Sequence, residues 1–251
     1  MALTIAGFDP SGGAGIQADL KIFSGFDVYG LSVAAALTAQ NSGGVRAVRP
    51  VESGFVRRQL TTLLADMKPD ALKTGMLHSR ANVAVVAEMT KKYRLRNVVV
   101  DPVLLSSTGR RLAEKGTENA VRTKLLPVAT VVTPNMHEAS VLAGIEIRDI
   151  DDMKRAAVIL HDLGAENVII TGGHLERTAV DVFYNGTFTL LKGRKIPGEY
   201  HGTGCRFSAV ITALLAKGYG VLDAAQQAKT YMRQAMRKTF STGKGMCLFN
   251  V

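Results

Sequence analysis

The chain has 251 residues, 47% of them hydrophobic, and a formal net charge of +10, enough apolar material for a substantial core. No run of about eighteen apolar residues occurs, so no membrane span is expected, and the opening Met1-Ala-Leu-Thr-Ile-Ala-Gly7 lacks the pattern of a signal peptide. Lysines and arginines lie among acidic residues in short pairs such as Arg57-Arg58, Lys91-Lys92 and Arg110-Arg111, without interleaved aromatics, which argues against a nucleic-acid surface and for small anionic substrates. Two cysteines, Cys205 and Cys247, make no disulfide framework, and a reducing cytoplasm is the expected setting.

Short apolar runs alternate with amphipathic segments along the chain. Residues 3–6 read as a strand, and 14–24, after a glycine-rich loop, as a helix. The apolar stretch 28–39 has room for a strand and the start of a helix. Helices are expected over 55–67, 82–93, near 112–125 and over 150–163, with strands at 71–74, 97–101, 130–133 and 167–171. Residues 178–184 and 187–191 flank Asn185-Gly186 and read as a hairpin with a type I′ turn. Two helices, near 203–217 and 222–240, follow. Unbroken apolar strands separated by helices indicate a mostly parallel sheet with helices on both faces, in a single domain spanning 1–251. In such sheets ligands bind beyond the carboxyl ends of the strands. Polar residues collect there: Gly7-Phe8-Asp9, Thr74-Gly75, Asp101, Thr133-Pro134-Asn135 and Thr171-Gly172-Gly173-His174.

Gly202, Thr203 and Gly204 open directly into an apolar-periodic helix. Free N–H groups and the positive end of the dipole suit a phosphate or a developing oxyanion there. Cys205 falls in that first turn, where the dipole is expected to lower its pKa and favour thiolate, a base beside an anion hole. The plainer reading is a glycine-rich loop before a packed helix with a buried cysteine. Asp9-Pro-Ser-Gly-Gly-Ala-Gly15 matches neither a dinucleotide fingerprint nor a Walker A loop, and a structural tight turn competes with a ligand loop. Asp19, Gln40 and Asn41 are candidates for hydrogen bonds to a polar heterocycle, or caps and surface residues. Asn135 and Glu138, three apart after a strand end, suit a hydrated Mg²⁺ and a nucleotide phosphate, the alternative being a helix start in which Glu138 complements the dipole. Asp101 is a second candidate contact to metal-bound water. The histidines at 78, 137, 161, 174 and 201 show no zinc-ligand spacing with the cysteines; His201 is placed to orient the anion loop, and Cys247 reads as a packing residue.

Taken together these residues resemble the hydroxymethylpyrimidine/phosphomethylpyrimidine kinases, in the ribokinase-like superfamily. The resemblance runs through Ala2-Leu-Thr-Ile-Ala-Gly7, Asp9 to Lys21, Leu37-Thr-Ala-Gln-Asn41, Lys73-Thr-Gly-Met-Leu77, Asp101-Pro-Val103, Thr133-Pro-Asn135 with Glu138-Ala139, Gly172-Gly-His-Leu175 and His201-Gly-Thr-Gly-Cys205. It implies a ribokinase-like three-layer sandwich and an ATP- and Mg²⁺-dependent kinase. The implied acceptors are 4-amino-5-hydroxymethyl-2-methylpyrimidine and then its monophosphate, at one site. Gly7, Asp19, Gln40, Met76 and Val103 match the pyrimidine pocket. Asn135, Glu138, Thr171, Gly173 and the Gly202–Cys205 loop match the nucleotide side, with Asp101 and Glu138 meeting Mg²⁺ through water. Cys205 matches the base, and a homodimer is expected.

The chain departs from that pattern in four places. Phe8 stands where a small polar residue is usual, and Ser106-Ser107-Thr108-Gly109 stands where a lysine followed by Ser-Gly is common. A phosphate contact is then absent or falls to Arg110 or Arg111. Arg206 replaces a common threonine and is expected either beside the anion hole or in solvent. Thr171 stands where lysine is common, though pyridoxal kinases also carry Thr-Gly-Gly. The alternatives are a pyridoxine/pyridoxal kinase on the same scaffold and a non-catalytic pyrimidine-binding protein. Thr38-Ala-Gln-Asn41 favours the aminopyrimidine, because Gln40 both donates and accepts.

Overall fold

The structure, a computed structural model, describes residues 1–106, 108–173, 179–198, 200–241 and 243–249. Ser107, His174, Leu175, Thr178 and Glu199, all within stretches singled out above, lie outside the described residues. The chain runs β1 (Ala2–Phe8), α1 (Gly15–Gly25), β2 (Gly30–Asn41), β3 (Gly44–Pro50), α2 (Ser53–Asp66), β4 (Ala71–Thr74), α3 (Arg80–Lys92) and β5 (Val98–Val100). It continues with α4 (Thr117–Ala120), β6 (Val131–Val132), α5 (Met136–Ala143), α6 (Ile150–Asp162), β7 (Val168–Ile170), β8 (Ala179–Tyr184) and β9 (Phe188–Gly193). Last come α7 (Thr203–Ala216), α8 (Val221–Ala235), β10 (Thr239–Phe240) and β11 (Leu248–Phe249).

Nine strands form one sheet in the order β3-β2-β1-β4-β5-β6-β7-β8-β9. The centre from β2 to β7 is parallel, and β3, β8 and β9 are antiparallel additions at the two sides. Period-two alternation sends the strand side chains into two cores. Leu3, Ile5, Leu72, Val98, Val100, Val132, Val168 and Ile170 join one core, which also takes apolar residues of α2, α3, α5 and α6. Ala2, Ala71, Val99, Val131 and Ile169 join the other, with α1, α7 and α8. This is the three-layer sandwich expected from the unbroken apolar strands. Among the described residues, no helix is long and apolar enough to cross a membrane.

Four local expectations are corrected. Residues 28–39 hold no helix start: β2 runs to Asn41 and turns into β3, whose exposed Arg46 and Arg49 mark an edge strand. Asn41 serves that turn, its Oδ1 accepting the Gly43 N–H at 2.9 Å. The helix expected from 112 begins only at Thr117, because Gly116 takes a left-handed φ of +87° before it. It then widens into a π-helix over Val121–Leu125, followed by a 3-10 turn containing Pro127. The hairpin between β8 and β9 pairs Tyr184 with Phe188, a three-residue loop in which Gly186 has positive φ and Asn185 does not, so it is no type I′ turn. Finally α8 stops at Ala235, and Thr239–Phe240 leaves it to pair with Leu248–Phe249.

Two glycines bring the segments of the site together. Gly15 has φ +59°, and a Cβ there would lie 2.2 Å from the Gly7 carbonyl oxygen; at Gly202, φ +78°, it would lie 2.1 Å from the Gly13 oxygen. The loop 9–15 is thereby clamped between the end of β1 and the start of α7.

Candidate active site

The start of α7 is open. Its N-cap, Gly202, has no side chain to offer, and the N–H groups of Thr203, Gly204 and Cys205 have no hydrogen-bond partner among the described residues. A Cβ built on Gly204 meets nothing within 4 Å. By contrast α5 is closed by a capping box: Asn135 Oδ1 accepts the Glu138 N–H at 2.9 Å, and Glu138 Oε2 accepts the Asn135 N–H at 3.0 Å.

Behind the open turn lies a buried charge cluster. Thr4 of β1 and Lys73 of β4 point to the α1 and α7 side, opposite Leu3, Ile5 and Leu72. Thr4 Oγ1 donates to Asp19 Oδ2 at 2.6 Å, and Lys73 Nζ lies 3.0 Å from Asp19 Oδ2 and 3.7 Å from Asp101 Oδ2. Ser208 Oγ, one turn beyond Gly204 on α7, donates to Asp101 Oδ2 at 3.0 Å. Burial pulls the Lys73 ammonium down, but Asp19 and Asp101 outweigh it and hold it above its usual range. Two carboxylates share one cation, and burial raises both carboxyl groups. Asp19 Oδ1 is buried with no partner.

Cys205 sits among these charges, half-buried. Burial, and after it the Asp101 charge, push the thiol up to about 12. This reverses the expectation that the helix start favours thiolate, because desolvation and a carboxylate neighbour decide the state of the thiol.

His201 ties the two loops together. Its Nε2 lies 3.0 Å from Asp9 Oδ2 and 2.8 Å from the Gln40 amide. One ring N–H serves both only if Gln40 turns its oxygen to the ring, leaving its NH₂ for Thr38 Oγ1, 3.1 Å from the other end of the amide. Burial works to raise the Asp9 carboxyl, yet hydrogen bonds from His201 and Ser11 hold it below the usual carboxylate range. Asp9 also accepts the Ala14 N–H at 2.8 Å, so it shapes the loop 9–15 from within.

Each of the remaining expected residues has contacts of its own. Gly7 ends β1 against Met76, whose Cε lies 2.4 Å from a Cβ built there, and half-buried Val103 packs with Met76 in a small third core. Phe8 is 43% exposed. Thr171 and Asn135 form a parallel bridge, with the Thr171 N–H donating to the Pro134 oxygen at 2.9 Å, and Gly173 follows, exposed. Glu138 Oε1 accepts the Leu104 N–H at 3.4 Å; burial and Asp101 push its carboxyl up to about 8. Arg206 lies neither beside the open helix start nor in solvent. It is fully buried, one Nη donating to the Gly13 oxygen and its guanidinium carbon 4.6 Å from the Phe249 ring centroid. Arg110 donates to the Val45 oxygen at 3.1 Å and Arg111 to Glu118 Oε2 at 3.1 Å, so both are engaged within the protein. Cys247 holds the tail, its carbonyl accepting the His201 N–H at 3.1 Å. Sequence reasoning missed Lys73 as a buried cation, and Ser208; only the position of Lys73 in an apolar strand hinted at burial.

The chain is 42% identical over 246 residues to the thiamine biosynthesis bifunctional protein ThiED of Geobacter sulfurreducens, covering 97% of this chain but only 50% of that protein. It is 40% identical over 248 residues to the hydroxymethylpyrimidine/phosphomethylpyrimidine kinase of Bacillus subtilis, covering 97% of this chain and 92% of that one. The crystal structure of an ADP complex of Bacillus subtilis pyridoxal kinase superposes with a TM-score of 0.91 at 41% identity, covering 99% of this chain and 96% of that one, so the fold is ribokinase-like. The profile of the phosphomethylpyrimidine kinase family matches residues 9–250, and by that match and those identities the chain belongs to this family of phosphotransferases.

Proposed function

We propose that the chain phosphorylates 4-amino-5-hydroxymethyl-2-methylpyrimidine, and then its monophosphate, using ATP and Mg²⁺, in thiamine biosynthesis. The observation that carries this reading is the uncapped start of α7 with Cys205 in its first turn, opposite Asp19 and Asp101. The N–H groups of Thr203, Gly204 and Cys205 are free to stabilise the oxygens of a transferring γ-phosphoryl group. As the acceptor hydroxyl oxygen attacks the γ-phosphorus and ADP leaves, the hydroxyl proton passes to Cys205 while the thiol's own proton, held on the sulfur by burial and the Asp101 charge, passes to the neighbouring Asp101 carboxylate. Gly7, Gln40, Met76 and Val103 border the acceptor, and Asn135, Thr171 and Gly173 the nucleotide.

Mg²⁺ fits as a hydrated ion. Among the described residues no three His, Cys, Asp or Glu gather as a metal cage. Both Glu138 oxygens already accept backbone N–H groups, so Asp101 and Glu138 would hold the ion through its water. Their mutual repulsion, which contributes to raising Glu138, is the charge a cation relieves. When bound, the ion offsets the negative charge of the phosphates.

Asp19 Oδ1, buried with no partner, does not choose between the two acceptors, since a pyridoxal hydroxyl donates as an exocyclic amine does. Likeness to pyridoxal kinase keeps a second reading, pyridoxal as acceptor, in view. ADP release by the purified protein, with the aminopyrimidine, its monophosphate and pyridoxal supplied separately, tests both. Release with the two pyrimidines is expected. Release only with pyridoxal moves the assignment to that acceptor, and none with any acceptor overturns the kinase reading.

A further inference from the structure

The turn after β7 is held from a side the mechanism does not use. Asp181, on β8 and buried, accepts the Gly172 N–H on Oδ1 at 3.0 Å, and its Oδ2 lies 2.6 Å from Lys229 Nζ of α8. The Lys229 stem crosses β9 at Gly193, where a Cβ would lie 2.8 Å from its Cε. Thr171, one residue earlier, is fixed by the Pro134 oxygen. The turn is thus pinned at consecutive amides, one to the segment that caps α5 and one to a carboxylate neutralised from a distant helix.

We propose that Asp181, charged and oriented by Lys229, is a positioning residue that sets the Thr171–Gly173 turn for nucleotide binding through its acceptor oxygen for the Gly172 N–H. The inference rests on the reading above that this turn faces the nucleotide. Without the acceptor, Gly172 carries a buried N–H with nothing to receive it, and the turn relaxes until that donor finds another partner.

Two double variants isolate the acceptor. Asp181→Asn/Lys229→Met and Asp181→Leu/Lys229→Met both remove the ion pair and leave no net buried charge, a change that folded proteins often tolerate. Only the first keeps an oxygen for Gly172. The measurements are the ATP dissociation constant by calorimetry, the acceptor KM and the melting midpoint. In the asparagine variant the ATP constant should stay within about threefold of wild type; in the leucine variant it should rise about tenfold, a loss of about 1.4 kcal/mol, with the acceptor KM unchanged in both. Equal ATP constants in the two variants, or an acceptor KM rising in step with the ATP constant, overturn the inference while leaving the site assignment standing. Failure of the wild-type protein to bind ATP overturns the nucleotide reading itself, and this inference with it.

Discussion

Replacing Lys73 with methionine keeps the length of the side chain and removes the cation that, among the described residues, bridges Asp19 and Asp101. The ammonium lies 3.0 Å from one carboxylate and 3.7 Å from the other, with no exposed side-chain surface. At an effective dielectric near 20 those separations correspond to roughly 10 kcal/mol of attraction in total. Much of that is cancelled, because the variant no longer dehydrates an ammonium, and breaking buried pairs typically costs about 3–5 kcal/mol. Against a total stability of about 5–15 kcal/mol, the variant is marginal. The sign with pH follows from the carboxyl groups. Burial raises Asp19 and Asp101, so between the unfolded and the folded values, and only there, the folded form holds protons that the unfolded chain has released. Stability therefore falls as pH rises through the folded values and returns as pH drops toward the unfolded ones. Urea unfolding at pH 8 and pH 5.5 should show a loss of about 3–5 kcal/mol at the higher pH and a smaller one at the lower. Adding Asp19→Asn should restore part of the loss, a coupling above about 1 kcal/mol. A Lys73→Met protein within about 1 kcal/mol of wild type at both pH values would refute the reasoning, since an unpaired buried carboxylate cannot be that cheap.

Three further outcomes are expected. Cys205→Ala should lower kcat by about 10²–10⁴-fold with the ATP dissociation constant nearly unchanged, and unchanged turnover would remove the thiol from proton transfer. Gly204→Val has open space around it and should melt close to the wild-type midpoint while binding ATP more weakly; Gly202→Val, with its φ of +78° and the Gly13 oxygen in the way, should lose the fold as well. Calorimetric melting of the two together with an ATP titration separates the roles. Arg206→Met removes a buried cation whose Nε and Nη2 have no partner, so its unfolding free energy should stay level or rise; a loss above about 2 kcal/mol would show that the Gly13 and Phe249 contacts outweigh desolvation.

What the sequence made legible follows from which forces act locally. Runs such as Val98-Val99-Val100 and Val168-Ile169-Ile170 are β-branched on both faces, so their place in a covered parallel sheet could be read directly. Residues 28–39 could not, because alanine-rich apolar runs fit helix and strand alike, and the choice was made by pairing with β1 and β3. The open turn before α7 was visible as Gly202-Thr203-Gly204. The state of its thiol was not, since Asp101 and Lys73 reach Cys205 from strands more than a hundred residues away in the chain. Arg206 misled for a related reason: a charged residue next to an anion loop reads as polar surface, while helix geometry turns it inward onto Gly13 and Phe249.

The sheet order has a consequence for how such a protein changes its preferences. Residues assigned to the acceptor come from the chain up to Val103, on β1, α1, β2 and the segments after β4 and β5; those assigned to the nucleotide begin at Asn135. The two meet at the head of α7 and again where Glu138 faces Asp101 and takes the Leu104 N–H. On the proposed reading, a chimera exchanging the stretch before Leu104 with that of a relative would carry the acceptor preference across and leave the nucleotide side in place.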